Sequence, residues 1–213
     1  MAVDVQGASA AAPYVQKHGV TFPVAVDMAD VLGGAFGLKA IPVAILVDEV
    51  GLVRLVGGGP SSGLLEQIGS VLKERVSGIR GKSPQLPAAA TLADLERGGA
   101  ATANDWKLHL ALARAYHEVN RNADALAQLE AAAALRPRES SIPFVWGLVL
   151  LHQGQKESAL VKLKQARDLD PENWRIRKQI WAIEHPDKFY TGESPDYGWQ
   201  KEQLAAENKA VGR

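Results

Sequence analysis

The chain has 213 residues, of which 46% are hydrophobic and 23% are charged, proportions typical of a globular protein with one or two domains. Lys plus Arg and Asp plus Glu number 24 each, so the chain lacks both the basic excess expected of a nucleic-acid-binding protein and an acidic tail. Cysteine is absent, which excludes disulfides, Cys-zinc sites and thiol catalysis by these residues.

The sequence also predicts no membrane segment and no leader. No apolar run approaches the roughly 20 residues that a membrane helix needs. The first residues have neither the basic nor the long apolar region of a signal peptide. The five histidines form no HExxH motif, so we predict no metal site and no cofactor.

Residues 1–77 are predicted to form an α/β domain in the order β-α-β-α-β-β-α. Short β-branched runs predict strands at 2–5, 22–27, 42–48 and 52–57, and helical spacing predicts helices at 9–18, 29–38 and 61–76. The strand at 42–48 is almost wholly apolar, as expected for a strand covered on both faces. Asp27 and Asp48 follow strands, and we expect them to cap turns rather than to act as acid–base groups.

Residues 78–104 are rich in Pro, Gly and Ala, and we predict a linker with one short helix capped by Thr91. Residues 105–184 contain an internal repeat with a 34-residue period. The matched pairs are Tyr116 and Leu150, Ala125 and Ala159, Leu129 and Leu163, Ala132 and Ala166, and Pro137 and Pro171. This all-α segment resembles two tetratricopeptide repeats followed by a capping helix at 172–184.

The repeats predict a groove that binds a protein or peptide partner. The candidate groove residues of the first repeat are Lys107, Leu110, Arg114 and His117, and those of the second are Ser141, Phe144, Leu148 and Leu151. They lack the Lys and Asn pattern that clamps a C-terminal carboxylate in chaperone-binding repeats. Packing of this face against the N-terminal half is the alternative to an outside ligand.

Residues 185–213 are predicted to form an aromatic C-terminal tail. Phe189, Tyr190, Tyr197 and Trp199 are too many aromatic residues for a solvated tail, so we expect this part to be held on the folded body and the last residues to be loose.

Three motifs in the first half resemble a thioredoxin-like redoxin of the TlpA/ResA or AhpC/TSA type. They are KHGVTFPV at 17–24, D-x-A-D-x-L-x-x-A-F-G-L at 27–38, and I-P-V-A-I-L-V-D-x-x-G at 41–51. In that family the proline matching Pro42 is cis and lies against a redox-active Cys-x-x-C pair. The resemblance implies that Ile41 and Pro42 flank a redox site and that Pro42 helps to hold a substrate backbone.

The same resemblance implies that the fold is incomplete. The family's central strand and the helix that carries its redox residues would precede residue 2, between the strands at 2–5 and 43–47 in the sheet. The expected explanations are a misplaced start, as when a selenocysteine codon is taken for a stop, a truncation or frameshift, or a short protein that a partner strand completes.

The functional hypothesis is therefore a fragment of a redoxin fused to tetratricopeptide-like repeats, whose full-length parent is a thiol–disulfide or selenol oxidoreductase. Without cysteine, the chain as it stands cannot catalyse disulfide exchange. The alternatives are a chaperone-like holdase, in which the redoxin fold serves only as a binding surface, and a protein-interaction scaffold.

Limited proteolysis of this chain should leave residues 105–184 intact while residues 1–77 are digested. A missing central strand removes roughly 6–12 kcal/mol of apolar burial, which is comparable with the whole stability of a domain. Mass spectrometry of the resistant fragments measures the outcome. A resistant N-terminal half would contradict the strand count.

Overall fold

The structure is a computed structural model that describes residues 2–4, 8–39, 43–48, 52–58, 62–73, 92–99, 104–191 and 194–210. Across these residues the chain is mostly helical and carries small two-stranded sheets. It divides into two compact units, Met1–Pro137 and Arg138–Arg213. The first unit contains the α/β elements and the first pair of helices of the repeat.

The α/β elements follow the order predicted from the sequence. They are β1 (Ala2–Asp4), α1 (Ala8–Lys17), β2 (Val24–Val26), α2 (Val31–Ala35), β3 (Val43–Val47), β4 (Val53–Gly58) and α3 (Ser62–Lys73). Helix α1 ends before Gly19 and α2 ends before Gly37, and both glycines have positive φ, +56° and +61°. Glycine adopts this left-handed conformation without the steric penalty of a Cβ, which explains why both helices stop there.

The strands form two separate ladders. Strand β1 pairs with β2 in parallel, with Ala2 opposite Val24, and β3 pairs with β4 in antiparallel, with Ile45 opposite Val56. Within the described strands, no ladder joins one pair to the other. Each pair therefore keeps an edge whose backbone N–H and C=O groups have no strand partner among the described residues.

Two aspartates cap the turns that follow strands, which confirms their predicted role. The Asp27 carboxylate accepts hydrogen bonds from the backbone N–H groups of Val31 (2.8 Å) and Leu32 (2.9 Å), at the start of α2. Asp48 accepts one from the backbone N–H of Leu52 (2.9 Å) in the β3–β4 turn. Both side chains satisfy backbone donors that would otherwise need water.

The α/β elements bury little of their apolar surface. Of the fourteen large hydrophobic residues that are exposed in the described chain, eleven lie between residues 14 and 72, among them Val56 (62% exposed) and Leu72 (71% exposed). Among the described residues of this region, only Ala29 and Leu64 are buried hydrophobic residues. A segment that leaves so much apolar surface in water gains little stability from the hydrophobic effect.

The described residues from 92 onward are helical apart from one short hairpin and the turns between elements. Their elements are α4 (Leu92–Gly99), α5 (Trp106–Glu118), α6 (Asn122–Leu135), α7 (Ser141–His152), α8 (Lys156–Leu169), α9 (Trp174–Glu184), α10 (Pro186–Phe189), β5 (Tyr190–Thr191), β6 (Ser194–Pro195) and α11 (Tyr197–Ala210). Helix α4 is the short helix predicted in the linker. Helix α11 was not predicted, because residues 185–213 were interpreted as a tail.

The repeat period of the sequence is present in the backbone geometry. Asn120 and Gly154 occupy equivalent turns and both have positive φ, +60° and +77°. The N–H that follows each of them makes the same hydrogen bond, Arg121 to the carbonyl of Tyr116 (2.8 Å) and Gln155 to that of Leu150 (2.9 Å). The pairs α5–α6 and α7–α8 are therefore two copies of one helical hairpin.

Small residues allow the two helices of each hairpin to approach closely. Ala113 in α5 and Gly147 in α7 occupy equivalent positions, and both are buried. A Cβ at Gly147 would lie 2.6 Å from Cγ of Leu163 and 3.2 Å from the carbonyl oxygen of Ala159. The backbone of α7 thus touches α8 at a distance that leaves no room for a side chain.

Replacement of Gly147 by valine should lower the free energy of unfolding by about 1–3 kcal/mol, because the added methyl groups meet Leu163 and the Ala159 carbonyl. Urea unfolding followed by circular dichroism measures the change. Gly69→Val is the matched control, since a Cβ there has no atom within 4 Å. Equal stability of Gly147→Val and the unaltered chain would contradict the close helix contact.

Candidate functional site

The redox-flanking residues implied by the resemblance lie outside the described part of the chain. Ile41 and Pro42 immediately precede β3, whose description begins at Val43. Their conformation and their surroundings therefore stay a prediction. The described neighbours show that the segment leads directly into the strand that pairs with β4.

The candidate groove residues of the first hairpin differ in accessibility. Lys107 is exposed and Arg114 is partly buried, whereas Leu110 and His117 are buried. The His117 ring is 1% exposed, and its Nδ1 lies 2.8 Å from Oδ1 of Asn122, which holds the start of α6. Leu110 and His117 thus have little exposed surface with which to bind an outside ligand.

In the second hairpin the candidate groove residues lie largely in the hydrophobic core. Phe144 and Leu148 are buried among Leu163, Ile176 and Ile180, and Leu151 packs against the same cluster. Ser141 is partly buried and donates a hydrogen bond from its hydroxyl to Glu139 (2.9 Å). Since α5 and α7 belong to different compact units, a groove that both would line stays a prediction.

One face of α5 contacts the α/β segment. The backbone N–H of Ala29 donates a hydrogen bond to Oε1 of Glu118 (3.2 Å), and Ala29 is fully buried. A Cβ at Gly34 in α2 would lie 2.7 Å from Nη2 of Arg114. Arg114, a candidate groove residue, therefore lies against α2, which favours the predicted alternative of intramolecular packing.

Two residues at the C-terminal end of α5 and just after it make hydrogen bonds to helix α4. The Tyr116 hydroxyl donates a hydrogen bond to Oε1 of Glu96 (3.0 Å), and Nη1 of Arg121 donates to the same oxygen (3.1 Å). The Arg121 guanidinium lies 4.4 Å from the centre of the Tyr116 ring. Burial, and then the bond to Glu96, raise the pKa of the Tyr116 hydroxyl above its ordinary value.

The sequence does not predict a polar cluster that links α9 to α11 in the second unit. Arg177 and Trp181 on α9 are buried, and both donate to the carboxylate of Glu207 on α11, Trp181 through Nε1 at 2.6 Å and Arg177 through Nη1. Nε of Arg177 also donates to the carbonyl of Pro171 (2.9 Å). The sequence signal for α11 was available in its strong helix formers, Ala, Gln, Glu and Lys.

Aromatic contacts also connect α9 with the segment that follows it. Trp199 packs edge-on against Trp181 and His185, with ring centres 6.0 Å and 5.5 Å apart. Nζ of Lys178 lies 5.2 Å from the ring centre of Tyr197, and burial lowers the pKa of that ammonium. Phe189 is buried as well, whereas Tyr197 is about half exposed. The expectation that the aromatic residues of the tail are held on the folded body therefore holds for Phe189 and Trp199.

The described chain offers few other sites. None of its helices is long and apolar enough to cross a membrane. In the same residues, no three His, Asp or Glu side chains are grouped so that they could hold a metal ion.

Comparison with known proteins assigns no family. No family model matches the sequence, and no curated protein matches it. The function is therefore inferred from the motifs, the fold and the contacts of the chain itself.

Replacement of Gly34 by valine should displace the Arg114 guanidinium and loosen α2 from α5. A loss of about 1.4 kcal/mol of docking free energy would raise the rate of proteolysis within residues 8–39 about tenfold. Mass spectrometry of timed digests measures this rate. Gly63→Val, where a Cβ has no atom within 4 Å, is the control. An unchanged rate in Gly34→Val would show that α2 does not depend on this contact.

Proposed function

We propose that this chain is the greater part of a redoxin-like domain joined to tetratricopeptide-like repeats, and that the protein it represents is a thiol–disulfide oxidoreductase acting on protein substrates. Three observations support the proposal. The α/β elements have the order expected from the redoxin-like motifs. An Ile41-Pro42 peptide precedes the strand that forms an antiparallel hairpin. The two helical hairpins repeat each other in backbone geometry.

The observation that carries the proposal is the separation of the two ladders. A redoxin sheet, by resemblance, has one central strand between a parallel pair such as β1–β2 and a hairpin such as β3–β4. The described strands form these two pairs and no ladder between them. A strand between the pairs would satisfy their edge N–H and C=O groups and would place side chains beside those of β3, where Val47 is about half exposed.

The chemistry follows from what disulfide exchange requires. A thiolate or selenolate attacks a substrate disulfide, a mixed disulfide forms, and a second thiol or selenol displaces the reduced substrate. None of the 213 residues is cysteine, so the attacking group belongs to residues outside this sequence. Pro42 would hold the substrate backbone beside that group, and the repeats would select the protein partner.

The exposed apolar surface of the α/β segment supports a second candidate, a non-catalytic holdase. Among the described residues between 14 and 72, eleven large hydrophobic side chains are exposed, including Leu65 and Leu72 two turns apart on α3. Such a surface binds the exposed apolar segments of unfolded proteins. In this function the redoxin fold and the repeats act only as a binding surface.

The proposal is tested on the protein encoded by the complete reading frame that contains this chain, including any in-frame codons before Met1. We expect a strand and a Cys-x-x-C or selenocysteine-containing equivalent there, and reduction of insulin disulfides by the purified protein. Pro42→Ala should lower kcat/KM about 10- to 100-fold, because the substrate backbone is misplaced. Pro87→Ala, in the predicted linker, is the matched control and should retain the unaltered rate.

A reading frame without a thiol or selenol, or a protein without disulfide exchange activity, would contradict the oxidoreductase. The holdase has its own measurement, suppression of the aggregation of an unfolded client. Suppression that persists after substitution of the redox residues, and that is lost in the double variant Leu65→Lys, Leu72→Lys, supports the holdase. A protein that neither exchanges disulfides nor suppresses aggregation would contradict both functions.

A further inference from the structure

Helix α9 occupies the place of the first helix in a third repeat. Its first residue, Trp174, lies two repeat periods after Trp106, the first residue of α5, and Asn173 caps it at the position equivalent to Asp105. Both cap side chains accept a hydrogen bond from the backbone N–H two residues later. The equivalence identifies the α9 face to which a second helix of the hairpin would pack.

The residue at the helix-crossing position differs in this third copy. Where α5 has Ala113 and α7 has Gly147, α9 has Trp181, which is 1% exposed. An indole at this position keeps a neighbouring helix from the close approach seen between α7 and α8. Helix α11 therefore packs on α9 by a different contact, centred on Glu207 and Trp199.

The face that α11 buries is mainly polar. Among residues 197–209 of α11, those that are not exposed recur at helical spacing and are Trp199, Gln200, Gln203, Leu204, Glu207 and Asn208. Only the tryptophan and the leucine among them are apolar. The equivalent face of α8 instead buries Ala159, Leu163 and Ala166. A polar face releases less hydrophobic free energy on docking and depends on specific partners.

One buried group of this face is unsatisfied. Gln200 is 2% exposed, and its Nε2 has no hydrogen-bond acceptor among the described residues. A buried amide donor left without an acceptor opposes docking of the helix that carries it. Helix α11 is thus held by one strong contact, that of the Glu207 carboxylate, while the rest of its buried face is mainly polar. We therefore expect α11 to separate from the body without global unfolding.

We propose that the α9 face formed by Arg177, Lys178, Trp181 and His185 is an exchangeable docking site for α11, and that a second copy of this chain occupies it by exchanging that helix. The chemistry that the site recognises is a helix with a tryptophan followed two turns later by a carboxylate, as in Trp199 and Glu207. Every copy of the chain carries this ligand, so exchange replaces each contact by an identical one.

The short connection determines when exchange occurs. Residues 190–196 join α10 to α11. This short connection gives the chain's own α11 an effective concentration at the α9 face on the order of millimolar, with which α11 of a second copy must compete. The exchanged pair is accordingly favoured where copies are concentrated or held together. Contacts are the same within one chain and between two, so Glu207 controls the rate of exchange rather than its final extent.

Energy transfer between two labelled forms of the intact chain tests the exchange. Because the chain has no cysteine, Ser158→Cys on α8 and Glu202→Cys on α11, both exposed, each accept a single dye. Mixed at about 1 mM, near the effective concentration of the tether, the two forms should develop intermolecular energy transfer. Adding Glu207→Gln to both chains should speed its appearance about tenfold with little change in final amplitude.

The control is Lys209→Gln, an exposed residue of the same helix, which should leave the rate unchanged. Absence of energy transfer overturns the proposal. An equal rate of energy transfer with and without Glu207→Gln also overturns the proposal, since that result indicates association through another surface. Hydrogen exchange of the unlabelled natural chain supplies a measurement independent of variants. Amides of α11 should exchange faster than those of α7, α8 and α9, and equal protection of all four helices overturns the proposal.

Discussion

The close approach of paired helices is the constraint on which the helical part of this protein depends. At Gly147 the space for a Cβ is already filled by Leu163 and by the carbonyl of Ala159. The matched small and apolar residues on the second helix of each hairpin are fully buried in the same manner: Ala125, Leu129, Ala132, Ala159, Leu163 and Ala166. Where Trp181 replaces the small residue, the regular hairpin ends and a different helix, α11, packs through a carboxylate. The end of the regular repeat thus coincides with the loss of the small residue at this position.

The α/β segment obeys a different constraint, the pairing of backbone groups in a sheet. Its strands are well formed locally, and Asp27 and Asp48 cap their turns. They nevertheless remain two pairs within the described residues, and much of their apolar surface is exposed. The contacts of Ala29 with Glu118 and of Gly34 with Arg114 attach this segment to α5, which is itself packed against α6 in the first hairpin. The proposed redox function and the proposed holdase function both arise from this unsatisfied surface.

Some features of the candidate sites were predictable and others were not. The glycine stops at Gly19 and Gly37 and the aspartate caps follow from local rules, because they involve residues within a few positions of one another. Repeat position alone put His117 and Phe144 in a groove, but both side chains are buried. Burial depends on residues far away in the chain, such as Ile176 and Ile180 beside Phe144, and repeat position carries no information about them.

The sequence by itself determined the order of strands and helices within residues 1–77, the period of the helical repeat and the lack of a thiol, since these depend on local periodicity, on fixed spacing and on composition. Only the tertiary structure decided that Arg114 lies against α2, and that Arg177 and Trp181 share the carboxylate of Glu207. The reason is physical. A buried charge is stable only beside a partner, and the partner of Arg177 is 30 residues away on a helix whose polar face has no apolar periodicity to reveal it.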